Sequence, residues 1–399
     1  MKVTFDAQQL KQRLGQLGSV VARKSQEALY RNIRLFTDAE GVVNLQGIDI
    51  DTTMTLKVPS AKFDGLALNL LTEFNKLNEV LPNVTTKEVT IDSKSETEAI
   101  LIAGKFRARL KAFPTAPFTD LSLVAGIADK PEIGGYMFGL PGLKEQIEMV
   151  DFAVPQAEGK YVVASALIFA TATELSVVST DGVRLVISTT PSDIGEFRFT
   201  VPKPALELLK KMEGGGKVTI SDTEGAFYFE TETELITYNK THAEFPNYGG
   251  IVPKAGTYPT VVTFKDKAEL VAAIGRQKPF CFSKDNPAVT FVFNGRDTVE
   301  LVAVKEEVLA TGNTYTDMTS DTITVEGVGD ETRIKLDIKL LQPFLERGTF
   351  PMVLHLNKPS NAAYLHSNGG TPDKPTYRLL IMPMRAEGGA TSTPMPPTE

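Results

Sequence analysis

The sequence has very few of the side chains that hold metal ions or form disulfides. Its 399 residues include one cysteine, Cys281, and three histidines, His242, His355 and His366. A single cysteine cannot form an internal disulfide, and three scattered imidazoles do not make a metal-ligand cluster. Cys281 lies between two phenylalanines and is expected to be a small buried apolar residue. The sequence therefore predicts no metal site and no bound cofactor.

The chain also lacks the long apolar runs of a protein that enters a membrane. No uninterrupted apolar run is long enough to span a bilayer, and residues 1–7 do not form the apolar core of a signal peptide. We therefore expect a cytoplasmic protein with no membrane partner. The formal net charge of −7 argues against a protein coated by nucleic acid. It leaves room for a basic surface confined to one face.

Motifs that mark catalytic sites are missing as well. The Gly-Gly-Gly-Lys string at 214–217 fails as a phosphate-binding loop, because Lys211 stands in place of the first glycine and Val218 follows the lysine. There is no Gly-x-Ser-x-Gly turn, no His-Glu-x-x-His and no base for a nucleophilic triad. Asp49 and Asp51 have the spacing of two carboxylates on one strand face, although solvated acids are commoner there. They leave a metal-dependent hydrolase as an alternative to the non-catalytic protein that we expect.

What the sequence does contain is a unit that occurs three times, with a period of about 130 residues, the size of a domain. Phe5, Phe138 and Phe264 each lead into a segment whose apolar residues recur four apart, which predicts a helix. A second helix is predicted in each unit around a Leu-Leu pair, within residues 66–71, 204–209 and 336–341. Each unit is therefore expected to contain two helices.

Short runs of alternating apolar and polar residues surround these helices, for example at 42–46, 217–221 and 351–356. They predict strands, bounded by Gly, Asp and Pro. The fold class is therefore α+β with mostly antiparallel sheets. Polar or proline-containing joins divide the chain into three domains, 1–123, 124–255 and 256–386. Residues 387–399 have too little apolar content to fold and are expected to form a disordered tail.

One short stretch, residues 179–185, combines a turn with a charge. β-Branched and apolar residues precede and follow Asp181 and Gly182, which predicts a tight turn between two strands. Arg184 stands among residues that favour burial, next to a glycine that lets the backbone approach a ligand. The alternative is an arginine at a strand edge whose hydrogen bonds are all satisfied within the protein.

Basic residues collect in two segments that are predicted to be helical. Segment 10–24 has four basic residues and no acid, 4 − 0 = +4, and segment 265–278 has four basic residues and two acids, 4 − 2 = +2. A weakly basic surface suits contact with phosphates without sequence readout, and a solvated helix face is the alternative. Strand 105–111 also places four basic residues on one face, either as a solvated edge or as a phosphate contact. The basic residues of the two segments are Lys11, Arg13, Arg23, Lys24, Lys265, Lys267, Arg276 and Lys278.

Three strings carry a family resemblance: residues 179–185, residues 245–254 and residues 379–385. In this order, on a threefold repeat of this length, they resemble the bacterial DNA polymerase III β subunits, the sliding clamps. The resemblance covers residues 1–386. It implies three similar clamp domains, each with two helices that line an inner face and antiparallel sheets outside. It further implies a ring-shaped homodimer that encircles duplex DNA.

The same resemblance implies a function and a set of partners. Members of this family are processivity factors without catalytic activity, and they tether the replicative polymerase to DNA. The implied partners are double-stranded DNA bound without sequence specificity, the DNA polymerase III α subunit, the clamp-loader complex and other proteins with a clamp-binding motif, including repair proteins. An interaction scaffold of the same fold that forms no ring is the alternative.

By position in the family, Lys24, Lys160 and Tyr161 are the implied DNA contacts. The family also implies an apolar pocket for partner peptides, in which Arg184 and Arg385 can offer hydrogen bonds. Val183 stands where relatives often have His, and Asp337 and Leu340 where some have Asn and Tyr, so the peptide preference stays open. The tail that follows Ala386 is expected to leave the pocket open. The implied pocket residues are Val163, Thr180, Gly182, Val183, Arg184, Leu185, Pro246, Ile251, Leu380, Met382, Pro383, Met384 and Arg385.

Overall fold

The structure is a computed structural model of the 399-residue chain. It describes residues 1–121, 134–157, 159, 163–213, 216–240, 244–253, 258–281, 287–308, 314–367, 370–371 and 374–384. The chain divides into two compact units. Unit 1 comprises Met1–Glu145 and Pro204–His242, and unit 2 comprises Gln146–Lys203 and Ala243–Glu399.

Most of the helices in the described residues begin where a strand ends. Aspartates cap three of them, since Asp6, Asp266 and Asp337 accept hydrogen bonds from the backbone N–H of the first helical turn. None of the described helices has the length and apolarity needed to cross a membrane. The helices are α1 (Ala7–Leu17), α2 (Phe74–Val80), α3 (Ala116–Leu121), α4 (Leu140–Glu148), α5 (Lys203–Lys211), α6 (Lys267–Gln277) and α7 (Ile338–Arg347).

Strands make up most of the remaining regular structure. They are β1 (Lys2–Asp6), β2 (Asn32–Thr37), β3 (Val43–Asp49), β4 (Thr52–Lys57), β5 (Lys62–Asp64), β6 (Asn69–Glu73), β7 (Glu88–Ser93), β8 (Glu98–Ala103), β9 (Phe106–Phe113), β10 (Gly135–Gly139), β11 (Ser165–Ala170), β12 (Glu174–Thr180), β13 (Arg184–Pro191), β14 (Phe197–Pro202), β15 (Lys217–Asp222), β16 (Ala226–Glu230), β17 (Glu234–Asn239), β18 (Thr260–Phe264), β19 (Ala288–Phe293), β20 (Thr298–Val308), β21 (Thr314–Thr324), β22 (Glu326–Val328), β23 (Thr332–Asp337), β24 (Met352–Leu356), β25 (Ala363–Ser367), β26 (Gly370–Thr371), β27 (Lys374–Pro375) and β28 (Tyr377–Ile381).

The order of elements repeats three times, in agreement with the repeat in the sequence. Each repeat runs strand, helix, three strands, a strand that leads into a second helix, and three more strands. The first repeat is β1-α1-β2-β3-β4-β6-α2-β7-β8-β9, and the other two follow the same order from β10 and from β18, with a few short additional elements. The α+β class with antiparallel sheets is confirmed. The three domain boundaries stay a prediction.

The position predicted for the second helix of the first repeat is wrong. Residues 69–73, which include Leu70 and Leu71, form strand β6, and helix α2 begins only at Phe74. Pairing decides this, because β6 forms a ladder with β2 in which Leu70 lies opposite Leu35. The corresponding helices α5 and α7 do contain their Leu-Leu pairs. The Leu-Leu pairs therefore do not occupy equivalent positions in the three repeats.

Unit 1 is built on one sheet of thirteen strands, in the order β10-β15-β16-β17-β4-β3-β2-β6-β9-β8-β7-β1-β5. All neighbours in this sheet that have a described register pair antiparallel. The second and first repeats meet where β17 pairs with β4. Strand β9 pairs with β6 only through Ala112 and Phe113. Among the described residues, one edge of β9 from Phe106 to Lys111 therefore has no strand partner.

Unit 2 contains a nine-stranded antiparallel sheet in the order β14-β11-β12-β13-β28-β25-β24-β18-β22. The third and second repeats meet in this sheet, because β28 pairs with β13 from Tyr377 opposite Ser188 to Ile381 opposite Arg184. A separate four-stranded sheet has the order β21-β20-β19-β23, and β26 pairs with β27. In the described chain, β21 pairs with β20 alone and forms an open edge.

Cys281 is buried and has a free thiol, as predicted from its neighbours. Burial raises the pKa of this thiol. Its Sγ lies 3.5 Å from the carbonyl oxygens of Gln277 and Ala288. The cysteine therefore behaves as a small core residue of the third repeat.

Candidate functional site

The turn predicted at Asp181 and Gly182 is present between β12 and β13. Gly182 has a φ of +85°, a left-handed conformation that favours glycine. The Asp181 carboxylate accepts hydrogen bonds from the backbone N–H of Val183 (3.1 Å) and Arg184 (2.9 Å). The turn therefore has a fixed shape and presents Val183 at its tip, with 45% of that residue exposed.

Arg184 is buried and ties this turn to two other segments. Its Nε donates to the Asp181 carboxylate at 2.9 Å, Nη1 donates to the Leu340 carbonyl at 2.6 Å, and Nη2 donates to the Phe152 carbonyl at 2.6 Å. Burial lowers the pKa of Arg184, and Asp181 opposes that shift. Three of its five N–H donors are therefore used inside the protein. This geometry gives Arg184 a positioning role, and the hydrogen bond to a peptide stays a prediction.

Three exposed apolar side chains belong to segments that come together around this turn. Val183, Ile251 and Met382 are 45%, 61% and 48% exposed. The N–H of Met382 donates to the carbonyl of Val183 at 2.9 Å, so the end of β28 lies against the turn. Isolated exposed apolar residues are ordinary, but three on adjoining segments are typical of a surface that binds a partner.

A buried apolar cluster forms the floor beside them. Leu185 and Leu380 lie opposite each other in β13 and β28 and both belong to this cluster. Residues 244–253, which we call the crossing segment, contribute Phe245, Tyr248 and Val252 to it. The crossing segment therefore lies on the same face of the sheet as the floor, and it carries Pro246 and Ile251. The other cluster members are Leu167, Phe169, Val178, Ile187, Tyr258 and Tyr364.

The remaining predicted pocket residues are less closely connected to this group. Thr180 is half-buried, and its hydroxyl donates to the Arg184 carbonyl at 2.7 Å. Pro383 and Met384 are half-buried, and the Met384 N–H donates to the Lys335 carbonyl at 2.8 Å. Val163 is half-buried, and its carbonyl accepts from Ser165 at 2.7 Å. Arg385 lies outside the described residues.

Sequence reasoning missed Phe152 and Arg347. The Phe152 ring lies 4.8 Å from the Arg184 guanidinium and 4.6 Å from that of Arg347. Arg347 Nη2 lies 3.2 Å from the Asp151 carboxylate. No local pattern marks Phe152, because its carbonyl and its ring are the groups used. Asp337, also near this network, caps α7, and burial raises the pKa of its carboxyl group.

The first basic segment is less basic at its surface than its composition predicts. Lys24 and Lys11 are exposed, and α1 ends at Leu17, so Lys24 lies in the turn that follows rather than in the helix. Arg13 is only 8% exposed and donates to Glu234 at 2.7 Å. Counting Arg13 in a basic surface was therefore wrong, because its side chain is buried and its charge is neutralised by Glu234.

The second basic segment is largely neutralised too. Arg276 Nη2 lies 2.6 Å from the Asp321 carboxylate, and Lys265 pairs with Glu326. These two acids lie in or beside strands β21 and β22, outside the segment, so the predicted excess of +2 was an overestimate of its surface charge. Lys160 and Tyr161 lie outside the described residues, and their DNA contact stays a prediction.

The acids Asp49 and Asp51 do not share a strand face. Strand β3 ends at Asp49 and β4 begins at Thr52, so Asp51 lies in the turn between them. The Asp49 carboxylate accepts a hydrogen bond from the Ile50 N–H at 2.8 Å. No three His, Cys, Asp or Glu side chains gather as a metal group within the described part of the chain. The carboxylate-pair interpretation was therefore wrong.

Several known proteins are similar to this chain in sequence. The model of the central domain of the DNA polymerase III beta subunit matches residues 141–247. The "Beta sliding clamp" of Synechocystis is 22% identical over 396 residues, covering 92% of each chain. The "Beta sliding clamp" of Escherichia coli K12 is 24% identical over 269 residues, covering 64% of this chain and 68% of that protein.

Solved structures show the same fold over the whole length. The DNA polymerase III beta subunit of Pseudomonas aeruginosa superposes with a TM-score of 0.82 at 18% identity, covering 97% of this chain and 100% of that chain. The beta subunit of Thermotoga maritima superposes with a TM-score of 0.80 at 16% identity and the same coverage. The central part of the chain therefore matches the central domain of the DNA polymerase III beta subunit, and the chain as a whole is similar in sequence and in fold to the bacterial beta sliding clamps.

Proposed function

We propose that two copies of this chain close head to tail into a ring around duplex DNA and tether DNA polymerase III to it. The ring would be a processivity factor without catalytic activity and would act in the cytoplasm. Its three domains would be residues 1–123, 124–255 and 256–386, with 387–399 as a disordered tail. Its helices would line the hole and its sheets would form the outer wall.

The way in which the repeats join carries this proposal. In the three repeats, the third strand after the first helix occupies an equivalent place; these strands are β4, β13 and β21. The last strands of the repeats, β9, β17 and β28, are likewise equivalent. Within the chain, β4 pairs with β17 and β13 pairs with β28. This leaves β21 and β9 with open edges among the described residues. A heterologous contact between β21 of one copy and β9 of the next repeats the same joint and closes a ring of six domains.

The charges on these two open edges favour such a joint. Arg107 and Arg109 are exposed on β9, and Arg109 has a partner within its own sheet, Glu98 at 3.1 Å. Strand β21 carries Asp317, while its Asp321 is already paired with Arg276 of the same chain. Phe106, at the start of the β9 edge, is 47% exposed. An open strand edge with an exposed phenylalanine favours pairing with another chain.

A weakly basic inner surface suits a ring that slides. DNA threaded through a closed ring is retained by topology, so the helices need only non-specific phosphate contacts, and strong binding would hinder sliding. The neutralisation of Arg13 and Arg276 agrees with this requirement. Lys24 is exposed and remains the best candidate contact, together with Lys160 and Tyr161.

The apolar surface formed by Val183, Ile251 and Met382 is the proposed peptide pocket, with Leu185 and Leu380 as its floor. Its partners would be the DNA polymerase III α subunit, the clamp-loader complex and other proteins with a clamp-binding motif. The flexible side chain of Met382 can adapt to several peptides, and Val183 and Ile251 add apolar surface beside it. A related clamp from P. aeruginosa has been solved bound to griselimycin, so a member of the family offers a ligand site.

A mass measurement separates the ring from a scaffold that forms no ring. We expect light scattering to give about twice the chain mass of 43.4 kDa. Phe106→Glu on the open β9 edge should give the mass of one chain. Leu66→Glu is the matched control, because Leu66 is fully exposed in the loop between β5 and β6, outside strand β9, and its replacement should leave the dimer intact. A wild-type monomer, or an intact Phe106→Glu dimer, contradicts the proposed joint.

A further inference from the structure

Strand β10 lies at one edge of the thirteen-stranded sheet of unit 1, and β15 is its only strand partner among the described residues. Its backbone is easy to approach, because Gly135 and Gly139 are exposed and lack side chains, and Met137 between them is 55% exposed. The strand contains no charged residue and no proline, which are the usual means of preventing an edge from pairing. It can therefore accept a further strand.

The hydrogen bonds of β10 show which backbone groups face this open edge. The Leu140 N–H, directly after the strand, donates to the Gly216 carbonyl at 2.9 Å and so extends the pairing of β10 with β15. In an antiparallel pair every second residue bonds to the partner strand, so Phe138 and Tyr136 bond to β15. The N–H and C=O groups of Met137 therefore point to the open edge.

The equivalent edge is covered in the other two repeats. Strands β1 and β18 occupy the place of β10, and each has a short additional strand on this edge, β5 and β22, which we call the cover strands. Val3 lies opposite Phe63 of β5, and Val262 lies opposite Gly327 of β22. Like Tyr136 of β10, Val3 and Val262 lie two residues before the phenylalanine that leads into the first helix. The two cover strands therefore pair in the same register.

The second repeat has no cover strand in the described part of the chain. The cover strands belong to residues 58–68 and 325–331, which connect the third strand after the first helix to the strand before the second helix. In the second repeat this connection is only residues 192–196, and it contains no strand. Two repeats thus complete this edge with their own chain, and the second does not.

The charges beside the cover strands indicate what a partner of β10 should carry. Lys62 of β5 pairs with Glu88 at 3.4 Å, and Glu326 of β22 pairs with Lys265. Glu88 is the first residue of β7, and Lys217 is the first residue of the corresponding strand β15. Lys217 is exposed and forms no ion pair with the described residues. The second repeat therefore has the opposite charge at the position where Glu88 binds Lys62.

We propose that the edge of β10 binds an extended segment of another protein, which adds a strand to the sheet and carries an acidic residue for Lys217. Backbone hydrogen bonds to Met137 would hold the segment, and Lys217 would select its charge. The acidic residue would lie opposite Met137, as Lys62 lies opposite Thr4. All these residues belong to unit 1, whereas the apolar pocket belongs to unit 2. The proposal does not depend on the proposed ring.

Hydrogen exchange of the free chain tests whether this edge is open. The amide of Met137 should exchange at least about tenfold faster than that of Thr4, which has the equivalent position in β1 and is covered by β5. Mass spectrometry with fragmentation to single residues measures both amides in one sample, so Thr4 is an internal control. Equal protection of the two amides would show that the chain covers its own edge and would overturn the proposal.

A charge exchange between peptide and protein tests the binding. The probes are two fluorescent peptides with the sequence of residues 59–67, one natural and one with Lys62→Glu, titrated with the full chain. The wild type should bind the Lys62→Glu peptide about threefold more tightly than the natural one, as expected for one exposed ion pair. The exposed replacement Lys217→Glu should reverse this preference.

The control variant is Lys87→Glu, which makes the same charge change at an exposed lysine outside β15 and should keep the wild-type preference. Bound Lys62→Glu peptide should also slow the exchange of the Met137 amide. Absence of saturable binding by either peptide, or an unchanged preference in Lys217→Glu, would contradict the proposed site.

Discussion

Arg184 contacts both the backbone and the side chain of Phe152: Nη2 donates to the Phe152 carbonyl at 2.6 Å, and the guanidinium lies 4.8 Å from the Phe152 ring. With its bonds to Asp181 and to the Leu340 carbonyl, this arginine joins the β12–β13 turn, the 3₁₀ turn at Asp151–Ala153 and helix α7. The turn that presents Val183 is therefore positioned from inside the protein.

Replacement of Arg184 by Met should lower the free energy of unfolding by about 3–5 kcal/mol, the range for breaking one side of a buried ion pair. The buried side chain is 8% exposed, and its removal leaves two carbonyls and a carboxylate without their donor. Arg347→Gln is the matched control, because Arg347 also contacts Phe152 and an aspartate but is more exposed, and it should change stability by less than about 1 kcal/mol. Urea unfolding measures both, and equal effects of the two variants would contradict the positioning role.

Replacement of two glycines by alanine should change the stability of the protein in opposite directions. Gly182→Ala forces a Cβ into a left-handed conformation at a φ of +85° and should destabilise the protein by about 1–2 kcal/mol. Gly15→Ala lies inside helix α1 with open space around the added Cβ and should stabilise it by about 0.5–1 kcal/mol. Thermal unfolding of the two variants and the wild type measures both changes in stability. A stable Gly182→Ala would show that the turn does not need its left-handed residue.

Replacement of Arg13 should affect the stability of the protein, whereas replacement of Lys24 should affect its contact with DNA. Arg13→Met removes the positively charged partner of buried Glu234 and should lower the free energy of unfolding by about 3–5 kcal/mol. Lys24→Met changes an exposed side chain and should leave unfolding within about 0.5 kcal/mol of the wild type, while it weakens salt-sensitive retention on DNA. Urea unfolding and DNA retention at increasing salt test this pair. A destabilised Lys24→Met would place that lysine in the fold rather than at the DNA.

Local chemistry made part of the structure predictable from the sequence. The Asp-Gly turn needed only one carboxylate and one left-handed residue, both within four positions, and it was predicted correctly. The threefold repeat was visible because each strand leads into a helix of fixed apolar spacing. The family resemblance then supplied the pocket residues, which composition and spacing alone would not have identified.

The wrong predictions have a common cause: the residues concerned contact partners that are far away in the sequence. Strand β6 was predicted as a helix because its Leu-Leu pair matches the pairs of the two later repeats and leucine favours helices, but pairing with β2 makes it a strand. Arg13 was counted as surface charge because its partner Glu234 lies 221 residues away. The internal role of Arg184 depends on carbonyls 32 and 156 residues away, which no sequence pattern marks. Sequence patterns report neighbours along the chain, and these contacts are between neighbours in space.

Stability should fall in acid because of a histidine pair. His355 Nε2 and His366 Nε2 lie 2.9 Å apart, and burial lowers the pKa of His355 from 6.5 to about 4. Between these two pH values the unfolded chain binds a proton that the folded chain does not, so the free energy of unfolding should decrease as the pH falls from about 6.5 to about 4. Above that range this contribution is fully present.

The variant His355→Phe keeps an aromatic ring against Tyr364 and removes the titrating group. Its free energy of unfolding should therefore depend less steeply on pH than that of the wild type in this range. Urea unfolding at several pH values between about 4.5 and 7.5 compares the two slopes. Parallel curves would mean that His355 binds its proton equally well in both states.

Retention on DNA of different topology tests the ring most directly. The chain is loaded by a bacterial clamp loader onto nicked circular DNA, freed of unbound protein by gel filtration, and examined again after the circle is cut. An encircling ring stays with the circle at a salt concentration that removes non-specific binders and leaves the DNA once it is linear. Equal retention on circular and linear DNA would contradict encirclement.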